Sequence, residues 1–87
     1  MDPLVGKFVR SNRTFNLECC KVDGQVVFPG DFYIPKIYRN QVFRVQDVKD
    51  DLVTLSNIST SDYKTCEVDM SDIEDFKVLS KSEVDSL

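Results

Sequence analysis

The sequence contains no histidine and no tryptophan, and its three glycines stand singly at positions 6, 24 and 30. Without histidine the chain lacks the commonest general base, the usual partner of a catalytic nucleophile and the commonest metal ligand. Without clustered glycines it has no phosphate-cradling loop. The three cysteines, Cys19, Cys20 and Cys66, are odd in number and follow neither a disulfide framework nor zinc-ligand spacing. They read as reduced, partly buried thiols of an intracellular protein. No apolar run reaches the length of a signal peptide core or a membrane span, and Met1-Asp2-Pro3 opens with an acid where a signal would carry basic residues. A cytoplasmic location is therefore expected, with no membrane partner. On that reading the two Asn-X-Ser/Thr triplets, at Asn12 and Asn57, are chance.

The remaining groups able to carry chemistry have simpler roles. Asp50-Asp51 reads as a solvated hairpin turn. Asp69, Asp72, Glu74 and Asp75 are acidic like a calcium loop but lack its glycine and ligand spacing. A nucleophilic Cys20 or Cys66 would need a neighbouring base to lower its pKa, and none is evident. No enzyme activity, no cofactor and no metal site are expected.

What is present fits one folded domain. The chain has 87 residues, 41% of them hydrophobic and 30% charged, with six Phe and three Tyr. The net charge is −4, unevenly spread. Residues 1–44 carry seven cations against four acids, and residues 45–87 four cations against eleven. Such asymmetry marks a polar interaction surface unless folding interleaves the halves.

Strand signals dominate. Leu4–Arg10 is β-rich, with a bulge expected at Gly6. Thr14–Val22 reads as one strand, Asp23-Gly24 as a two-residue hairpin turn and Gln25–Phe28 as the return strand. Pro29-Gly30-Asp31 is a turn. Pro35 restricts the aromatic stretch Phe32–Tyr38 to an extended loop or edge, since proline cannot donate to a ladder. Val42–Val48 and Leu52–Ser56 pair across Lys49-Asp50-Asp51, and Tyr63–Met70 alternates again. Ser71-Asp72-Ile73-Glu74 has the form of a capping box opening a short helical turn, and Phe76–Leu79 forms a last strand. The expected fold is mainly β, either a small barrel or two packed antiparallel sheets of five to seven short strands. One helical turn is expected near residues 71–76. Residues 1–79 form the domain, and residues 80–87 a flexible polar tail. The pattern over residues 36–79, a strand pair with a tight acidic turn, a further strand, one helical turn and a closing strand, resembles an SH3-like barrel. The resemblance is one of shape. It implies a small barrel and carries no site residue.

Two surfaces compete for a functional role. The first is the stretch 32–44, where Phe32, Tyr33, Lys36, Tyr38, Arg39 and Arg44 alternate aromatic rings with cations. Rings stack bases and cations track phosphate, but Tyr and Arg are also the residues of protein hot spots. The plain structural expectation puts Phe32, Ile34, Ile37 and Phe43 in the core. The second is an acidic face of Asp62, Glu67, Asp69, Asp72, Glu74 and Asp75, which attracts basic partners and repels nucleic acid. Net acidity, with a pI near 4.6, favours a protein-binding module acting as a small regulator or inhibitor. A short chain opening on its own Met is also the style of a phage or viral accessory protein. The alternatives are RNA or single-stranded nucleic acid bound through residues 32–44, aided by Arg10 and Arg13, and a structural subunit that assembles through a β edge.

Overall fold

A computed structural model describes residues 2–87. Nine strands form two antiparallel sheets: β1 (Phe8–Ser11), β2 (Phe15–Asn16), β3 (Lys21–Val22), β4 (Gln25–Val26), β5 (Lys36–Ile37), β6 (Val42–Lys49), β7 (Leu52–Asn57), β8 (Thr65–Asp69) and β9 (Phe76–Val78). The large sheet runs β4-β3-β8-β7-β6-β1-β9, and β2 pairs with β5 in the small one. Of the two expected architectures the barrel does not form, because β4 and β9 remain separate edges, and the two sheets hold nine strands against the five to seven expected, since the 14–28 and 32–38 segments break into two-residue strands. Barrel closure needs tilted strands long enough to share a staggered ladder. Two-residue β4 and three-residue β9 supply too little ladder for that.

The long centre of the sheet follows from alternation. Phe43, Val45, Val53 and Leu55 are wholly buried on one face, with Cys66 and Val68 beside them on β8. The register shifts between Val45 and Asp47, so that Gln46 stands unpaired. Strict alternation would have turned Asp47 inward; the bulge keeps it exposed and returns Val48 toward the core. The small sheet contributes Ile37, with Leu17 just beyond β2, and Phe76 meets both Phe43 and Phe15 edge-on at 6.2 Å. Full burial of a ring such as Phe43 stabilises the fold by about 2–3 kcal/mol.

Three local expectations are corrected. Thr14–Val22 is not one strand. Cys19 has φ 62, and its N–H donates to the Val27 carbonyl while the Leu17 N–H donates to that of Pro35. Tertiary bonds thus break the segment into β2 and β3. The helical turn is a 3-10 turn, Met70–Asp75, capped two residues earlier than expected by Asp69, whose N–H donates to Asp72. Strand β8 runs through Asp69 opposite Leu52, so the chain turns as soon as that pairing ends. Finally, Lys81–Asp85 in the presumed tail forms a short helix, α1. Its signal, Ser80-Lys81-Ser82-Glu83, is a capping box in which Ser80 Oγ accepts from the Glu83 N–H and Glu83 accepts from the Ser80 N–H. No helix among the described residues is long and apolar enough to cross a membrane.

Glu83 also meets Lys77 at 3.0 Å and Arg10 at 3.8 Å. The Ser80 backbone bond, the Lys77 ammonium and the Ser80 hydroxyl hold its carboxyl down at about 2, against an ordinary 4.5. A depressed carboxyl contributes stability that is complete above its unfolded pKa and lost as pH falls toward the folded one. Helix α1 is therefore expected to unravel between pH 4.5 and about 2, read from Cα chemical shifts of residues 81–85. In Glu83→Gln that step should vanish; its persistence would remove Glu83 from the cap.

Candidate functional site

The folded chain redistributes both sequence-derived surfaces. The aromatic–cationic stretch is divided among four places. Phe32 and Tyr33 lie in the loop after Gly30; Lys36 sits on β5 opposite Asn16; Tyr38 and Arg39 occupy the turn before β6. Arg44 points outward from β6, opposite Phe8 and close to Gly6. Arg13 and Arg10, the expected auxiliary cations, are paired with Asp75 at 2.7 Å and with Glu83. The two halves of the chain thus interleave, and part of their charge asymmetry is cancelled within the fold.

Exposure selects one segment. Ile37 and Phe43 are buried and Ile34 packs partly against the core, as expected, but Phe32 is fully exposed. Of nine exposed large apolar residues among those described, four fall within residues 26–33: Val26, Phe28, Phe32 and Tyr33. Apolar groups held together in water mark an interaction surface more often than scattered ones do. The loop has defined geometry. The Asp31 N–H donates to the Phe28 carbonyl at 3.1 Å, and Asp31 Oδ2 accepts from the Phe28 N–H at 2.9 Å. Gly30 takes φ 91 after Pro29, the arrangement of a type II turn. Phe28 itself escaped the sequence reading, although its outward position follows from alternation past buried Val27.

Tyr33 shares a cleft of about 300 Å³ with Asp23, Asp31 and Asp62, backed by Pro35, Val27 and Tyr63. The hairpin turn builds this cleft. Asp23 and Gly24 take φ 51 and 84, as the two-residue turn requires, and Asp23 Oδ1 accepts from the Lys64 and Thr65 N–H groups at 2.8 and 2.9 Å. That clamp draws the end of the 57–63 loop, with Asp62, against the hairpin. Asn57, read from sequence as half of a chance sequon, organises the same loop by bonding Thr60 and the Tyr63 carbonyl. Tyr63 is buried, which pushes its pKa up, and its hydroxyl donates to the Lys36 carbonyl at 2.9 Å.

A second cleft, about 530 Å³, lies on the other side of the β3–β4 hairpin, and Val26 lines both. It gathers Glu67, Asp69 and Asp72 with Glu18 and the Cys19-Cys20 pair. The expected acidic face is therefore split: Asp62 belongs to the tyrosine cleft, Asp75 is bound to Arg13, and Glu74 stands exposed on the 3-10 turn. Burial, then the carboxylates of Asp72 and Asp69, raises the Cys20 pKa. Burial, then Cys20, pushes Cys66 up to about 12. Both thiols stay protonated at neutral pH, the opposite of nucleophile activation.

No protein-family model matches the chain, and neither the curated proteins nor the solved structures give a match.

Proposed function

We propose that this chain is a non-catalytic protein-binding domain, regulatory or inhibitory in kind. It contacts its partner through the exposed loop 26–33 and the acidic clefts beside it. The observation that carries the reading is the placement of Tyr33 among Asp23, Asp31 and Asp62, next to exposed Phe28 and Phe32 in the chain. Aromatic anchors with a polar rim suit a protein interface, and the carboxylates select a basic partner. The same carboxylates oppose a phosphate backbone, while the cations that would have tracked it are dispersed or ion-paired. An intracellular setting suits three free thiols, one of them exposed.

Affinity purification of the tagged chain, with and without nuclease, tests the reading. A protein partner is expected to be recovered equally in both arms. Loss of every partner after nuclease treatment would transfer the function to nucleic acid.

A further inference from the structure

We propose that the tyrosine cleft receives an arginine side chain of the protein partner, its guanidinium over the Tyr33 ring and its charge met by Asp62 and Asp31. The inference rests on the protein-binding reading and names what this cleft recognises. The chain displays the same recognition once within itself. The Arg13 guanidinium lies 4.5 Å from the centre of the Phe15 ring while its Nε donates to Asp75 at 2.7 Å. The tyrosine cleft offers the matching half: an aromatic ring and three carboxylates, with no lysine or arginine among its lining residues.

Two of the three acceptors, Asp23 and Asp31, are held in advance. The clamp on Asp23 and the turn bond on Asp31 each engage one carboxylate oxygen, leaving the second oxygen of each side chain outside those bonds. Asp62 makes no side-chain hydrogen bond or ion pair among the described residues. Preorganised acceptors lower the ordering cost of binding. Guanidinium suits the site better than ammonium because it is planar, weakly hydrated and able to stack and bond at once. A nucleobase would also stack on Tyr33, but its phosphate would then lie near the carboxylates.

The test is a chemical-shift titration of the full chain with tetra-arginine, tetra-lysine and tetra-citrulline peptides and with oligothymidylate. Tetra-arginine is expected to shift the amides of Val26, Tyr33 and Asp62. Citrulline, isosteric but uncharged, should bind at least about tenfold more weakly. Tyr33→Leu and Asp62→Asn should each weaken tetra-arginine by about three- to tenfold. Both positions are exposed, so the variants keep the fold. Shifts centred on Glu67, Asp69 and Asp72, equal binding of tetra-lysine, or unaltered binding to the two variants would each overturn the arginine assignment. Should the captured partner bind both variants as it binds the wild type, the arginine inference fails and protein binding stands. Oligothymidylate shifting the same amides as strongly would sink both.

Discussion

Replacing Phe32 and Tyr33 together by serine is expected to weaken partner binding by about 100-fold, or about 3 kcal/mol, the loss typical when two interface anchors are truncated. Stability should change by less than about 0.5 kcal/mol, as for surface substitutions. The separation follows from where these side chains are. Phe32 is fully exposed and Tyr33 largely so, so neither serine opens a core cavity. The bonds shaping the loop, between Phe28 and Asp31 and from the Leu17 N–H to the Pro35 carbonyl, use other residues. Val78→Thr is the control: Val78 is an exposed apolar residue on β9, at the edge of the sheet away from β4, and its replacement should leave affinity unchanged. Calorimetric titration of the captured partner reads the affinity, and a denaturant melt reads the stability. If both variants bound alike, the loop would not be the contact surface.

Among polar positions the largest loss of stability is expected from Gln41→Ala, at about 2–4 kcal/mol, a fall in melting temperature of roughly 10–20 °C for a domain of this size. Gln41 is only 4% exposed and joins three parts of the fold. Its Oε1 accepts from the Tyr38 N–H at 2.9 Å, and its Nε2 donates to Asn57 at 3.3 Å, with Thr60 and the Tyr63 hydroxyl at the edge of hydrogen-bond reach. Its backbone N–H donates to Ser11 Oγ, and the Ser11 hydroxyl donates to the Tyr38 carbonyl. Alanine leaves the Tyr38 N–H without its acceptor, at a cost of about 1–3 kcal/mol, and opens a void that a short polar loop cannot fill, while Asn57 Oδ1 keeps the Ser59 and Thr60 N–H groups. Tyr63→Phe, which frees only the Lys36 carbonyl and one contact of Gln41, should cost less. A Gln41→Ala variant as stable as the wild type would mean that water replaces the amide.

The local signals in the sequence are those with local causes. Asp23-Gly24 forms its turn because both positions need positive φ, and Asp50, at φ 55, turns β6 into β7. Pro35 immediately precedes β5, which pairs on one side only, in the edge position expected for the segment that carries it. What the sequence conceals is set by distant partners. Alternation over Thr14–Val22 fits one strand; only the bonds to Pro35 and Val27 break it at Cys19. Gln41 gives no sign in the sequence that it will be buried. The candidate site was visible as residue types but not as a place. Tyr33 and Asp62 belong to segments that read as rival surfaces, and the Asp23 clamp brings them into one cleft. Conversely, Tyr33 and Arg44, parts of one apparent stretch, lie apart because the turn at Tyr38–Asn40 and β6 carry Arg44 onto the main sheet.

Photo-crosslinking locates the contact on the molecule. Benzoylphenylalanine is placed in turn at position 32 and at position 44, and each variant is irradiated with the nuclease-treated partner. The expected result is a protein crosslink from position 32 and none from position 44. Crosslinking from position 44 alone would contradict the location and move the contact to the exposed side of β6 around Arg44.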